Sequence, residues 1–255
     1  MTFSFVIPNY NNPDMLKNCL EHIRKLYPTH KIIVVDDASS EIEKIKLVCA
    51  EYNAEVKTSF HNNGFSYNCN KGIDALNTDA VVLINNDVEL KDDILKESER
   101  ILNKDSKIGV IGFLLYYPNM QIQHSGIRFK SLESMSHDPK DAPDAFYSRY
   151  TIAVTGALMV IRKKMVEEIG GFNAGYKLAF EDTELCLRAW HTGWRVYYTA
   201  DVFAIHYEGY TRGVTDEQKK NSGTWDKEQD SYKKYLKDIV NYSYLDIINK
   251  VRVLP

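Results

Sequence analysis

The sequence predicts an α/β protein with a mainly parallel central sheet and helices on both faces. Strand-length apolar runs alternate with helix-length segments in the first part of the chain, which is the pattern of parallel βαβ crossovers. Residues 32–35 and 80–84 are apolar throughout, as expected of strands buried on both faces. Asp36 and Asp37 follow the first run, and Asp87 follows the second. We therefore expect carboxylates at the carboxyl edge of the sheet, where open α/β sheets bind ligands.

The remaining elements follow in order along the chain. The Asn12-Pro13 pair suits the start of the first helix, because proline lacks an N–H that a helix start leaves unbonded anyway. The pattern predicts strands at 3–8, 32–35, 55–58, 80–84 and 108–114, and helices at 13–26, 41–52, 67–76 and 91–102. It continues with an apolar segment at 152–161, a short helix ending at 170–171, a helix at 182–191, and strand signals at 196–198 and 202–205.

Two segments lie outside this alternation. Residues 116–149 are polar and contain prolines, which is typical of a functional loop or lid or of a disordered insertion, and we favour a lid on the acceptor side. Residues 215–255 are charged and tyrosine-rich with helical spacing. They fit a docked helix, a partner surface or a membrane-facing segment, and docking is favoured. We expect one domain over 1–214 and a helical tail over 215–255.

Composition excludes several classes of protein. The 255 residues carry a formal net charge of −3 with an isoelectric point near 6.2, so the chain lacks the basic field that nucleic-acid binding needs. The four cysteines form no Cys-x-x-Cys pair, which favours free thiols in a reducing compartment. The N-terminus does not resemble a secretory signal, and no apolar run approaches the roughly 20 residues that span a bilayer. A cytosolic protein with possible peripheral membrane contact is the expectation.

The turn after the first strand excludes two nucleotide-binding motifs. It reads Pro8-Asn9-Tyr10-Asn11-Asn12-Pro13 and contains no glycine, whereas a dinucleotide fold and a P-loop both need glycines for phosphate to approach the backbone. A polar, ring-bearing turn remains, which can flank a base or be a simple Asx turn. Acidic strand ends suit Mg²⁺ or Mn²⁺ held by one or two carboxylates plus phosphates. A nucleotide-linked substrate is therefore predicted.

Together the motifs resemble those of inverting glycosyltransferases of family 2, which have the GT-A fold, over about residues 3–213. The similarity is greatest to the O-antigen and polysaccharide branch, which includes rhamnosyltransferases. The motifs are, in chain order, Ile7-Pro8-Asn9-Tyr10-Asn11, Val34-Val35-Asp36-Asp37-Ala38-Ser39, Asn63-Gly64-Phe65, Asn70-Lys71-Gly72, Leu83-Ile84-Asn85-Asn86-Asp87-Val88, Gly170-Gly171-Phe172, Phe180-Glu181-Asp182-Thr183-Glu184-Leu185-Cys186-Leu187-Arg188, Gly193-Trp194-Arg195 and Ile205-His206-Tyr207-Glu208-Gly209.

The resemblance implies a set of residues that hold the nucleotide-sugar donor. Asp37 is the choice for the base, because a carboxylate accepts hydrogen bonds from an imide nitrogen or from ribose hydroxyls; capping of the next helix is the alternative. The implied donor-binding residues are Pro8, Asn9, Tyr10, Asp36, Asp37, Asn63, Gly64, Asn70, Asn85, Asn86 and Arg212.

The resemblance also implies a divalent metal, Mn²⁺ or Mg²⁺. Asp87 stands at the last position of the family's Asp-x-Asp motif, and Asn85 replaces its first aspartate, with one negative charge fewer for the cation. His206 matches the position of a second metal ligand, and an imidazole favours Mn²⁺ over Mg²⁺. A lone histidine is otherwise more often a core or surface residue.

Asp182 matches the family's catalytic base. Inversion needs a carboxylate that removes a proton from the acceptor hydroxyl as it attacks the anomeric carbon, and Glu181 could orient the acceptor. Helix capping by Asp182 is the structural alternative. The expected activity is transfer of a sugar from a UDP- or dTDP-sugar to a hydroxyl of a glycan or lipid-linked saccharide in polysaccharide biosynthesis. A sugar nucleotidyltransferase and a non-catalytic glycan-binding module remain as alternatives.

Overall fold

The computed structural model describes residues 1–131, 134–137, 142–208, 216–242 and 244–254. Over these residues the strands are β1 (Phe3–Asn9), β2 (Lys31–Asp36), β3 (Glu55–Thr58), β4 (Ala80–Ile84), β5 (Val88–Leu90), β6 (Ile108–Tyr116), β7 (Ile122–His124), β8 (Ile127–Ser131), β9 (Ser134–His137), β10 (Arg149–Tyr150), β11 (Leu158–Arg162) and β12 (Arg195–His206). The helices are α1 (Pro13–Leu26), α2 (Ile42–Glu51), α3 (Phe65–Asp74), α4 (Ile94–Lys104), α5 (Lys163–Ile169), α6 (Glu181–His191), α7 (Asp216–Asn221), α8 (Trp225–Asp238) and α9 (Tyr244–Val253).

The central sheet has the strand order β10-β12-β6-β11-β4-β1-β2-β3, with β5 added to β12 and β7 to β6. Strands β4, β1, β2 and β3 are mutually parallel, whereas β11 runs antiparallel to both β4 and β6. The predicted α/β fold is confirmed, and its sheet is mixed: it is parallel in the half that the first strands build. The direction of β11 could not be predicted from the sequence, because a strand buried on both faces is apolar whether it runs parallel or antiparallel to its neighbours.

Two hydrophobic layers cover the two faces of the sheet. Because successive side chains of a strand point to opposite faces, Val6 and Val35 belong to one layer, and Phe5 and Val34 belong to the other. Helix α1 packs on the second layer through Leu20 and its other buried apolar side chains. This double covering accounts for the apolar runs of β1, β2 and β4, and it leaves polar residues only at the strand ends.

Most predicted elements lie where the sequence placed them, with two informative differences. The three residues of β5 were missed, because a strand this short carries no periodic signal. The two predicted strands at 196–198 and 202–205 form one strand, β12, with a register shift between Thr199 and Phe203 where it pairs with β6. Strand β5 pairs with the end of β12, so that His206 lies opposite Val88.

The segment at 116–149 contributes structure to the sheet. Strand β7 pairs with the end of β6, and Gln123, His124 and Ser125 are buried. Its remaining part includes 132–133 and 138–141, which lie outside the described residues. The action of this segment as a lid stays a prediction.

Helix α8 of the tail packs against the domain. Ser231 and Tyr235 are each 1% exposed, and Tyr235 stacks on Phe180 with ring centroids 5.1 Å apart. All four cysteines are free and buried, which confirms the prediction of free thiols. Over the described part of the chain, no helix combines the length and apolarity that a membrane crossing requires.

Candidate active site

A cavity of about 650 Å³ lies at the carboxyl ends of β1 and β4. Of the residues that the sequence analysis singled out, those lining it are Pro8, Asn9, Tyr10, Asp37, Gly64, Asn85, Asn86, Asp87, Glu181, Asp182 and His206. The fold therefore brings together residues that are up to about 200 positions apart in sequence, as expected for the ligand-binding edge of an α/β sheet. Asp36, Asn63 and Asn70 lie outside this lining, and Arg212 falls outside the described residues.

A chain of side-chain hydrogen bonds explains why Asp36 stays behind the cavity wall. Asn86 Nδ2 donates to Asn9 Oδ1 at 2.7 Å, and Asn9 Nδ2 donates to Asp36 Oδ2 at 2.9 Å. Asp36 is fully buried, and it also accepts from the backbone N–H of Ser39 at 2.9 Å. Because a carboxylate can only accept, Asp36 fixes the orientation of both amides, which face the cavity in its place.

Asp37 lies in the cavity wall and organises the loop opposite it. Its two carboxylate oxygens accept from the backbone N–H groups of Asn63, at 2.7 Å, and of Gly64, at 3.0 Å. Gly64 precedes α3 as its N-cap, at φ +89°, a region that favours glycine. Asp37 is 5% exposed, so these charge-assisted bonds are shielded from water. Its role includes holding the α3 loop, in addition to any contact with a nucleotide.

Asn63 and Asn70 do not line the cavity but form hydrogen bonds that support its wall. Asn63 contributes its backbone N–H to Asp37, while its side-chain Nδ2 donates to the carbonyl of His61 at 2.7 Å. Asn70 donates to the carbonyl of Phe172 and accepts from its N–H, both at 2.8 Å. Both side chains therefore bond to the protein backbone, and the two bonds of Asn70 hold α3 to the segment that precedes α6.

Asp87 and His206 face each other at the base of the cavity. Strand β5 follows Asp87 directly and pairs with β12, and the N–H of Tyr207 donates to the carbonyl of Asp87 at 3.0 Å. His206 Nε2 lies 3.2 Å from Asp87 Oδ1, which is ion-pair distance. The pair lacks hydrogen-bond alignment, and Asp87 Oδ1 is a buried oxygen with no hydrogen-bond partner among the described residues.

These atoms fit a divalent cation. A carboxylate oxygen and an imidazole nitrogen lie 3.2 Å apart, close enough to bind the same cation, and Asn85 Oδ1 is a second buried oxygen that finds no hydrogen-bond partner in the described ranges. No group of three or more histidine, cysteine or acidic side chains that could hold a metal occurs in the described ranges. A metal here would thus need ligand oxygens from a substrate, as Mg²⁺ sites at phosphates do.

The charge of the cavity lining also favours a bound cation. Its lining contains six carboxylates, namely Asp37, Asp87, Glu181, Asp182, Glu208 and Glu228, and two lysines, Lys177 and Lys227. A diphosphate that enters such a cavity meets a net negative surface and requires a local cation for neutralisation. The acidic lining by itself would repel a nucleotide, and a divalent metal bound there would supply positive charge beside the phosphates.

Asp182 lies in the first turn of α6 and is held by two backbone groups. Its Oδ2 accepts from the N–H of Gly156 at 2.8 Å, and its Oδ1 accepts from the N–H of Thr183 at 2.6 Å. The first of these bonds ties α6 to the loop before β11. Phe180 is the N-cap of α6, so Asp182 does not take the capping position, although it accepts from an amide in the first turn of its own helix. Each oxygen keeps a further lone pair for an incoming hydroxyl.

The backbone just before α6 is strained. Ala179 and Phe180 adopt φ values of +68° and +67°, and left-handed conformations are costly for side chains larger than glycine. Helix α8 stabilises this segment. Ser231 Oγ accepts from the N–H groups of Lys177 and Leu178, each at 3.2 Å, and the ring of Phe180 stacks on α8. Glu181, which is 7% exposed, follows this turn and lines the cavity.

Several residues of the cavity wall were missed by the sequence analysis. Gln123 and Glu208 lie beside His206, and Lys177 lies at the loop before α6. The tail contributes Ser222, Thr224, Lys227 and Glu228. Glu208 stands in a motif of the family, and Gln123 stands in Gln123-His124-Ser125-Gly126, which resembles the polysaccharide branch, but neither residue was given a role. Ser222 and Thr224 lie in the turn between α7 and α8, and Lys227 and Glu228 lie in the first turns of α8. Polar and charged residues are ordinary in a turn and on a solvated helix face, so they gave no sequence signal of a place in the cavity wall.

Comparisons with known proteins agree with this geometry. The family model described as "Glycosyltransferase like family 2" matches residues 2–237. O-antigen biosynthesis protein RfbC of Myxococcus xanthus is 23% identical over 227 residues, which cover 82% of this chain but 17% of RfbC. Rhamnosyltransferase WbbL of Escherichia coli K12 is 24% identical over 218 residues, which cover 79% of this chain and 82% of WbbL.

A solved structure shows the same fold. GalNAc-T7, crystallised with UDP, GalNAc and Mn²⁺, matches with a TM-score of 0.68 at 16% identity over 87% of this chain and 47% of that one. The fold that the sequence motifs implied, GT-A, is thereby confirmed.

Proposed function

This chain belongs to glycosyltransferase-like family 2, and we propose that it is a metal-dependent, inverting transferase. Its donor is a UDP- or dTDP-linked hexose or deoxyhexose, and its acceptor is a hydroxyl of a glycan or lipid-linked saccharide in polysaccharide biosynthesis. The observation that carries the proposal is that Asp182 lines the same cavity as the facing pair Asp87 and His206. The names of RfbC and WbbL support the polysaccharide context, and the Mn²⁺ in GalNAc-T7 supports the metal.

The residues divide the chemistry between them. Asp87 and His206 would hold the cation, which when bound neutralises charge on the leaving diphosphate. Asp182 accepts the proton of the acceptor hydroxyl as that oxygen attacks the anomeric carbon from the face opposite the diphosphate. The amides of Gly156 and Thr183 fix its carboxylate for this proton transfer, because a base must be oriented as well as close.

The donor-side residues recognise the nucleotide. Asn9 and Asn86 present amides whose orientation is fixed through Asp36, and Tyr10 is 41% exposed beside them, so its ring is available to a flat base. Asp37 keeps lone pairs beyond the two amides it binds, which can accept from an imide N–H or a ribose hydroxyl. This donor set favours UDP or dTDP, both of which carry an imide nitrogen.

The test is sugar transfer by the parent and by Asp182→Asn. Incubation with a panel of UDP- and dTDP-sugars, Mn²⁺ and a mixed glycan acceptor should release nucleoside diphosphate with the parent only, and NMR of the product should show an inverted anomeric centre. Asp182→Asn should still bind the nucleotide in a calorimetric titration. Turnover by Asp182→Asn equal to that of the parent would remove the proposed base, and retention of configuration would remove the single-displacement mechanism.

A further inference from the structure

The second ring nitrogen of His206 makes a contact that the proposed chemistry does not yet use. His206 Nδ1 lies 2.7 Å from Gln123 Oε1. Gln123 belongs to β7, in the segment that the sequence analysis regarded as a lid, and its side chain is buried, with the residue 9% exposed. The contact connects this segment directly to one of the two residues that would hold the metal.

Two acceptors fix the orientation of the Gln123 amide. Gln123 Nε2 lies 3.2 Å from Glu208 Oε2 and 3.4 Å from the backbone carbonyl of His206. A carboxylate and a carbonyl oxygen can only accept, so the NH₂ end of the amide must face them. The oxygen end then faces His206 Nδ1. Tyr117 O–H donates to the same Glu208 oxygen at 3.0 Å and holds the carboxylate in place.

The amide orientation decides the tautomer of His206. Gln123 Oε1 is an acceptor, so Nδ1 must carry a proton to bond with it. In the neutral imidazole the lone pair then resides on Nε2, the nitrogen that faces Asp87 Oδ1. A metal ligand needs this arrangement, because hydrogen bonding at one ring nitrogen selects the tautomer and raises the basicity of the other.

We propose that Gln123 is a positioning residue that holds His206 as the Nδ1–H tautomer, with Nε2 directed to the divalent cation, and that Glu208 and Tyr117 fix Gln123 for this role. The proposal rests on the proposed function in that His206 is taken as a metal ligand. Gln123 itself touches neither donor nor acceptor in this role. It lines the cavity beside His206 and acts through the imidazole.

The experiment compares Gln123→Met with Gln121→Met in metal binding. Methionine keeps the length of the buried side chain and removes both polar ends, whereas Gln121 is exposed in the same segment and serves as a matched control. Calorimetric titration of Mn²⁺ in the presence of UDP should show an affinity about 10 to 100-fold lower for Gln123→Met, and unchanged for Gln121→Met. Transfer activity should show a raised metal requirement, with kcat recovered at saturating Mn²⁺.

A second pair of variants tests whether the hydrogen bond between Gln123 and Glu208 holds Gln123 in place. Gln123→Glu alone sets two carboxylates against each other and should weaken Mn²⁺ binding. Combined with Glu208→Gln it restores a donor opposite an acceptor, and the double variant should recover most of the affinity. Unchanged Mn²⁺ affinity in folded Gln123→Met, or no recovery in the exchanged pair, would overturn the proposal.

A spectroscopic measurement separates this proposal from the proposed function. In ¹⁵N-histidine-labelled parent protein, with His206→Gln used to assign the signal, the neutral His206 ring should be protonated at Nδ1. Protonation at Nε2 instead would refute the role of Gln123 even if the protein is an active transferase. A parent protein that holds the Nδ1–H tautomer but binds no Mn²⁺ would show that the Gln123–His206 hydrogen bond exists. The same result would refute the role of Gln123 in metal binding and, with it, the metal assignment of the proposed function.

Discussion

Replacement of Asp37 by asparagine isolates the structural part of its role. Its two oxygens accept from the N–H groups of Asn63 and Gly64 at 2.7 and 3.0 Å in a site where Asp37 is 5% exposed. An asparagine has one acceptor oxygen, so one bond is lost and an NH₂ group faces an N–H group. Hydrogen bonds to charged groups are each worth about 1.5–3 kcal/mol. Loss of one bond and weakening of the other should cost roughly 2–4 kcal/mol.

Urea unfolding at pH 7 measures this cost. Asp37→Asn should lower the transition midpoint with an unchanged m-value, since the folded state stays as compact. Asp74→Asn is the matched control, because it removes the same charge from an exposed position of α3; its effect should stay within about 0.5 kcal/mol. If Asp37→Asn also lowers the free energy of unfolding by no more than about 0.5 kcal/mol, the two amide bonds do not hold the α3 loop.

Three further changes test other parts of the structure. Gly72→Ala places a Cβ 2.3 Å from a methyl group of Val6, and this overpacking should cost about 1–3 kcal/mol in urea unfolding; a more stable variant would contradict the packing of α3 on β1. Burial raises the pKa of Asp105, but hydrogen bonds from the Lys107 amide, Tyr150 and Arg195 outweigh burial and hold the pKa below its ordinary value. Its stabilisation is present above the unfolded pKa of about 3.9 and is lost as the pH falls from there through the lower pKa of the folded state. The destabilisation by Asp105→Asn in urea should therefore shrink below about pH 4, and a constant difference would contradict the assignment. Ser231→Ala removes the acceptor of two amides and should lower kcat more than nucleotide affinity; equal loss of both would argue against a specific effect on the loop before α6.

The sequence was sufficient for the α/β fold class, because the signals for most of its elements are local. The apolar runs of β1, β2 and β4 and the proline at the start of α1 depend on burial and on backbone chemistry that each segment carries by itself. The antiparallel direction of β11 and the pairing of β5 with β12 depend on contacts between distant segments. Such contacts leave no periodic pattern in one sequence.

The site residues that belong to sequence motifs could be predicted, whereas those placed in the site by tertiary packing could not. Asp87, Asp182 and His206 stand in motifs, and all three line the cavity. Asp36 was expected to meet the ligand, but the hydrogen bond from Asn9 draws its carboxylate behind the wall; neighbouring acidic residues in a sequence do not reveal which one faces the cavity. Gln123 gains its position through β7, which the sequence analysis did not resolve.

Metal-dependent donor binding is tested most directly by a calorimetric titration of UDP and dTDP with and without Mn²⁺, on the parent, Asp87→Asn and Asp182→Asn. We predict that the parent binds at least one nucleotide much more tightly with Mn²⁺, that Asp87→Asn loses this metal dependence, and that Asp182→Asn retains it. Nucleotide binding by the parent that is equal with and without Mn²⁺, or a metal dependence that survives in Asp87→Asn, would contradict the assignment of this cavity as a metal-dependent donor site.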